Sequence, residues 1–191
     1  MVILASQSPR RREILQELGI SFQVVPSLYE EDNSQPLPPK ELVRLQAEGK
    51  ARDVYQHQRG TYPILAADTV VAIDGKVLGK PGDEKEAVSM LSLLSGRTHE
   101  VLTGVAVFSG GTMKSAVEIT EVTFRRLSAD EIEEYIRTGE PMDKAGAYAI
   151  QGLGARFVVN VKGSWSNVVG LPKDLTLRLL GMDNESKGLG R

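Results

Sequence analysis

Residues 64–73, Ile-Leu-Ala-Ala-Asp-Thr-Val-Val-Ala-Ile, read as one long strand that is apolar except for Asp68 and Thr69 at its centre. An ionised carboxylate inside so apolar a run is costly unless it is paired, solvated in a cleft or bound to a metal ion, so a fold built on this strand must supply one of those three. Asp74-Gly75 follows as a two-residue hairpin signal and returns the chain through Lys76 to Gly79. With that turn, Ile73 pairs with Lys76, and Lys80 falls opposite Thr69 and diagonal to Asp68. Strict alternation puts Lys80 on the face of Thr69, so an Asp68–Lys80 ion pair requires a bend or bulge near Gly79-Lys80-Pro81. A solvated acid at a strand end is the alternative.

The N-terminus poses a second electrostatic problem. Val2 to Ala5 reads as a short buried strand, Ser8 as an N-cap and Pro9 as the first residue of a helix with Ile14, Leu15 and Leu18 as its stripe and Gly19 as its stop. Arg10, Arg11 and Arg12 therefore occupy the first turn, where each cation loses on the order of 0.3–1 kcal/mol unless an anion compensates it. A phosphate would do so, and backbone donors, helix dipole and guanidinium forks together form a polyphosphate cradle. The plainer reading is that the arginines splay into water, where the penalty is screened.

Between these features Phe22 to Val25 reads as a strand, Tyr29 to Pro39 as an acidic, proline-rich mobile loop, and Lys40 to Gln56 as a helix. Asp83 and Glu86 open a helix with Ala87, Val88, Leu91 and Leu94 on one face and Gly96 at its end. Val101 to Phe108 is a strand, Ser109-Gly110-Gly111 a turn, and Lys114 to Arg125 one or two more strands. Ser128 and Glu131 cap a helix that Gly139 closes; Tyr148 to Ile150 and Phe157 to Val161 are strands around a Gly152/Gly154 turn, and Pro172 to Leu180 is the last helix.

Composition narrows the partners. A chain of 191 residues, 41% hydrophobic, can bury one substantial core, here over residues 1–183, with a loose Gly- and charge-rich tail from Asn184. A net charge of −2 gives no global attraction to nucleic acid or membrane, so a basic site must be a local pocket. With no cysteine and only His57 and His99, any metal is expected to be a hard cation held by oxygen. Val2 to Ala5 is too short for a signal segment, and no apolar run nears the ~20 residues of a membrane span, so a soluble cytoplasmic protein is expected.

Glu30 and Glu31 offer oxygen ligands to Mg²⁺, or are merely soluble loop surface; Lys50 on its helix reads as solvent-facing; His99 reads as a hydrogen-bonded structural histidine. The stretch from Asp143 to Gly154 interleaves Lys144, Tyr148 and Gln151 with glycines, as suits a loop passing close to a ligand. Gln151 carries both the donor and the acceptor needed to read the edge of a base.

Taken together, ASQSPRR, AADTVV, LGKP, LSGRTHEVLTGV, YAIQGLGA and SNVVGLP stand in the order and spacing of the Maf family of nucleotide pyrophosphatases, and the resemblance spans Val2 to Leu180. It implies an α/β fold like that of inosine triphosphate pyrophosphatases, an elongated mixed sheet flanked by helices, with the nucleotide in a central cleft between two lobes. It also implies hydrolysis of a nucleoside triphosphate to the monophosphate and pyrophosphate with a divalent cation, Mg²⁺ or Mn²⁺, by a homodimer without stable nucleic-acid or membrane partners.

By motif, Asp68 matches the catalytic acid, a proton acceptor; Ser6, Arg10 and Arg11 the phosphate-binding segment; and Lys50 and Lys80 the cleft lysines. Leu28-Tyr29-Glu30-Glu31 stands where the family usually has Asp-Ile-Asp-Glu, so Glu31 matches its last acid and Glu30 replaces the one before. Asp68 with Glu30 or Glu31 would hold the cation. The branch acting on dTTP and UTP carries an arginine, a threonine and a glutamine at its selectivity positions, which fall here on Arg11, Thr69 and Gln151. The rival expectation is a nucleotide-binding regulator of septum formation, which needs the phosphate cradle but not Asp68.

Overall fold

A computed structural model describes residues 1–58 and 60–183; the tail expected from Asn184 lies outside them. In chain order the elements are β1 (Val2–Leu4), α1 (Pro9–Glu17), β2 (Phe22–Val24), α2 (Pro39–His57), β3 (Ile64–Ile73), β4 (Lys76–Leu78), α3 (Glu84–Leu94), β5 (Thr98–Ser109) and β6 (Thr112–Phe124). There follow α4 (Ala129–Arg137), three 3₁₀ turns, β7 (Val158–Lys162), α5 (Trp165–Val169) and α6 (Lys173–Leu180). The strands form one mixed seven-stranded sheet in the order β2-β1-β3-β5-β6-β7, with β4 added to β3. β1 runs parallel to both β2 and β3; the other pairings are antiparallel.

Period-two alternation divides the apolar run of β3 between two buried faces. Ile64, Ala66, Val70 and Ala72 pack with Ala47, Ala51, Val54 and Val43 of α2. Leu65, Ala67, Val71 and Ile73 pack into the larger core built with α1, α3, α4, α5 and α6. Asp68 therefore stands in the middle of the row that faces α2, and Thr69 in the opposite row.

The two edges of β3 differ. β5 pairs along one edge from Ile64 to Ala72. On the other, β1 reaches only Leu65 and β4 begins only at Val71, which leaves residues 66–70 without a strand partner. The functional cleft opens at this gap, and through it residues from both faces of β3 reach one space.

The structure departs from the sequence pattern at three places. Tyr148 to Ile150 is irregular chain, not strand, because Gly146 and Ala147 take left-handed φ of 69° and 62° that no ladder accommodates. Val88 is 38% exposed on α3, and Met90 takes its place beside Ala87, Leu91 and Leu94. The short helix α5 was not anticipated. Lys114 to Arg125 proves to be one strand.

Candidate active site

Asp68 is 3% exposed, yet both its oxygens are engaged from α2: Lys50 Nζ donates to Oδ1 at 2.9 Å and Gln46 Nε2 to Oδ2 at 3.1 Å. Gln46 and Lys50 stand one turn apart on the buried stripe of α2, with Val43, Ala47 and Val54, so the packing that buries the helix also aims both donors at β3. Lys50, expected in solvent, is 8% exposed. Its ammonium also donates to Glu31 Oε1 at 2.5 Å and Ala67 O at 3.4 Å. Gly104, opposite Asp68 on β5, admits this close approach: a Cβ there would stand 2.2 Å from Val43 O and 2.8 Å from Arg44 N.

The Asp68–Lys80 pair weighed from the hairpin register is not formed. β4 ends at Leu78, so Lys80 is off the ladder and exposed, although it lines the cleft. Lys50 fills the role instead, and no bulge is needed. Burial pushes the Asp68 carboxyl up, and Glu31 pushes it the same way, against Lys50 and Arg11. Partial burial alone would raise Glu31, but Lys50, Lys80 and Arg11 hold it below its usual range.

The arginines of α1 approach from the other side. Ser8 Oγ accepts the Arg11 N–H at 3.5 Å, and Pro9 begins the helix as expected. Arg10 Nε donates to Val169 O at 3.2 Å and Arg11 Nε to Gly170 O at 2.8 Å, so carbonyls at the C-terminal end of α5 supply the negative pole that the first turn of α1 lacks. Arg11 also donates through Nη1 to Ala67 O at 2.9 Å and Ser6 Oγ at 3.3 Å, and through Nη2 to Thr69 Oγ1 at 3.1 Å. Burial lowers its pKa against the pull of Asp68 and Glu31 but does not discharge a guanidinium. Arg12 is exposed and alone follows the plainer expectation.

These groups line one open cleft with two adjoining parts. Its inner part is walled by Thr69, Val71, Val101, Tyr148, Ile150 and Gln151, half apolar and half hydrogen-bonding. A second, outer part is walled by Ser6, Gln7, Ser8 and Pro9. Arg10, Arg11, Glu31, Lys50 and Lys80 line both parts.

Of the residues singled out from the sequence, Ser6, Arg10, Arg11, Lys50, Asp68, Thr69, Lys80, Glu31 and Gln151 thus converge on one cleft. Glu30 does not: it is exposed and lines neither part, because the loop turns Glu31 inward to Lys50 and its neighbour outward. That loop is tied down, contrary to expectation. Gln46 Oε1 accepts the Asp32 N–H at 2.8 Å, Gln46 Nε2 donates to Asn33 Oδ1 at 2.9 Å, and the Tyr29 ring lies where a side chain on Gly49 would be.

Two supporting groups were not found from the sequence. Gln46 was hidden because a glutamine four residues before a lysine is ordinary on a helix. Glu140 was hidden because its partners are backbone: its carboxylate accepts from Leu153 N at 3.0 Å, Gly154 N at 3.1 Å and the Tyr135 hydroxyl, whose oxygen accepts from Ala149 N at 3.1 Å. Both flanks of Gln151 are thereby pinned. His99 is structural, as expected: it is 2% exposed, 2.7 Å through Nε2 from the Tyr148 hydroxyl and edge-on to Phe124, and burial lowers its pKa to about 4.

No cluster of three metal-ligating side chains occurs among the described residues. Asp68 and Glu31 nonetheless both reach the Lys50 ammonium, so two carboxylates converge on one place. Mg²⁺ usually takes one or two carboxylates and completes its shell with water and substrate phosphates, and this donor set fits it.

Comparison with known proteins shows the family of the chain. Residues 1–182 match the family model described as "Maf-like protein". The chain is similar to a dTTP/UTP pyrophosphatase of Bacillus pumilus, 52% identical over 179 residues that cover 94% of each chain. It is also similar to proteins of the same description from Thermococcus onnurineus, 51% identical over 94% of this chain and 96% of that protein, and Thermococcus kodakarensis, 49% identical over 96% and 98%. A family match over nearly the whole length, on a chain whose motif residues gather at one cleft, establishes that this protein belongs to the Maf family.

Proposed function

We propose that this protein hydrolyses dTTP and UTP, and modified pyrimidine triphosphates of the same shape, to the monophosphate and pyrophosphate. The observation that carries the reading is a carboxylate only 3% exposed, Asp68, paired with Lys50 and lining one cleft with Arg11 and Lys80. The names of relatives about half identical support the choice of nucleotide.

In this reading the base enters the inner part, between Thr69 and Gln151, and the β- and γ-phosphates lie in the outer part against Ser6, Ser8, Arg10 and Lys80. The α-phosphorus then falls at the shared boundary, beside Asp68. A water attacks it, a new P–O bond forms, the bond to the bridging oxygen breaks, and pyrophosphate departs with that electron pair. Asp68 orients the water and accepts its proton. Burial equips it for this, since it binds a proton more tightly than a free aspartate of pKa near 3.9. Lys50 and Gln46 hold the carboxylate in one rotamer and Lys50 restrains Glu31. A divalent cation, Mg²⁺ or Mn²⁺, would be held by Asp68, Glu31 and phosphate oxygens, and supplies charge neutralisation and acidification of water when bound. The homodimer and the cytoplasmic location belong to this reading and are checked by light scattering and cell fractionation.

The test is incubation with Mg²⁺ or Mn²⁺ and a panel of triphosphates, with pyrophosphate measured against orthophosphate. Pyrophosphate and monophosphate are expected from dTTP and UTP. Asp68→Asn should fold and bind nucleotide but lose turnover by at least about a hundredfold, the usual worth of a general base. An Asp68→Asn variant that turns over like the parent overturns the assignment.

A further inference from the structure

Thr103 lies on β5 directly opposite Thr69, is 0% exposed and lines no part of the cleft. Its hydroxyl is 2.8 Å from that of Thr69 and donates to Asn167 O at 3.4 Å. Asn167 O also accepts the Gly170 N–H at 3.0 Å, Gly170 O accepts Arg11 Nε–H, and Arg11 Nη2 donates to Thr69 Oγ1. Arg11, Thr69, Thr103, Asn167 and Gly170 thus close a ring of hydrogen bonds. The Asn167 amide anchors that ring to the sheet through Val101 O at 3.0 Å and Thr120 Oγ1 at 2.9 Å.

The direction of each bond follows from chemistry. A guanidinium only donates and a carbonyl only accepts. Either hydroxyl could donate in the Thr69–Thr103 contact taken alone; with the one Thr103 proton on Asn167 O, it runs from Thr69 to Thr103. Thr69 is then left with lone pairs alone, one of them taken by Arg11. Of the five N–H groups of Arg11, those on Nε and Nη1 and one on Nη2 are used, which leaves a single N–H for a ligand.

We infer that Thr103 is a positioning residue for base selection: it keeps the Thr69 proton out of the cleft, so that Thr69 meets the base as an acceptor only, beside Arg11 as a donor only. The inference rests on the proposed pyrimidine-triphosphate site. Thr69 then accepts the imide N3–H of uracil or thymine, whereas the unprotonated N3 of cytosine would meet a lone pair. Selectivity for keto pyrimidines is in this way set one layer behind the cleft wall.

Thr103→Val keeps shape and β-branching but removes the acceptor, which frees the Thr69 proton to turn toward the ligand; Thr103→Ser keeps the hydroxyl. With the purified full chain and Mg²⁺, kcat/KM for UTP and CTP is measured by pyrophosphate release. The UTP/CTP ratio is expected to fall by about tenfold in Thr103→Val, the worth of one misdirected hydrogen bond, and to stay within about twofold of the parent in Thr103→Ser. A purely structural Thr103 would depress both substrates together and leave the ratio unchanged, which overturns the inference. If Thr103→Val is unfolded by thermal melting, Thr103→Ala makes the same deletion and is held to the same ratio. If the parent releases no pyrophosphate, the proposed function fails separately. The ratio of UTP to CTP binding, read from ligand-induced shifts in melting temperature, then tests Thr103 with the same expected and overturning outcomes.

Discussion

Lys50 holds together a site that like charges would otherwise open. Two carboxylates, Asp68 and Glu31, share its one ammonium, and Asp68 is too deep for water to screen the repulsion. Removing one partner of a buried ion pair commonly costs about 3–5 kcal/mol, because the other charge stays behind. His99 is the counterpart, a titratable group kept neutral. Burial lowers its pKa from 6.5 to about 4, so between those values the unfolded chain takes up a proton that the folded one refuses. Its contribution is complete above pH 6.5 and is lost as pH falls toward 4, amounting to about 2 kcal/mol between pH 7 and 5 by linkage. Urea unfolding at the two pH values should show this loss in the parent and not in His99→Gln; equal losses would remove His99 as the cause. The cost of burying Asp68 was legible in the sequence, but the identity of its partner was not. Hairpin register favours Lys80 because it counts only along strands, whereas Lys50 arrives from a helix whose depth no local pattern states.

That depth is set by one glycine, which makes it a property of two elements and not of a residue. At Gly104 β5 has no side chain, and the α2 backbone at Val43 and Arg44 fills the space. Since Lys50 and Gln46 stand further along the same helix, Gly104→Ala must lift the donors from Asp68 as well as overpack the core. Overpacking costs about 1–3 kcal/mol, and more where the obstacle is backbone that cannot change rotamer. The expected outcome is a lower melting temperature, and, at a temperature where the variant is folded, a larger fall in kcat than in KM. Full activity in a folded Gly104→Ala would show that α2 need not seat so closely. Most elements were legible because caps and turns announce themselves: Ser128 with Glu131 forms a capping box, and Asp74-Gly75 a turn with both residues at positive φ. Tyr148 to Ile150 was misread because its partners are not a neighbouring strand. Ala149 N–H is taken by Tyr135, and the chain that follows, at Leu153 and Gly154, is held by Glu140, contacts that sequence spacing does not encode.

At the scale of the molecule, the cleft joins segments far apart in the chain, and adjacent arginines join them unequally. Arg10 makes one bond, to Val169 O, and otherwise faces the space that both parts of the cleft share. Arg11 binds Ser6, Ala67, Thr69 and Gly170, and so ties α1, the unpaired edge of β3 and the end of α5 into one wall. Arg10→Ala should therefore leave the melting temperature nearly unchanged and raise KM for the triphosphate, the result expected of a phosphate contact that is not a structural tie. Arg11→Met strips four hydrogen bonds and strands buried acceptors, at a cost of about 3 kcal/mol or more to the fold. Arg11→Lys should not recover it, since a point ammonium cannot replace a fork that spans three elements. Thermal melts with and without UTP separate the two roles: Arg10→Ala starts at the parent's melting temperature and gains less from UTP, whereas both Arg11 variants start lower. Arg11→Lys melting with the parent would mean that charge alone, and not the directed bonds, holds the wall.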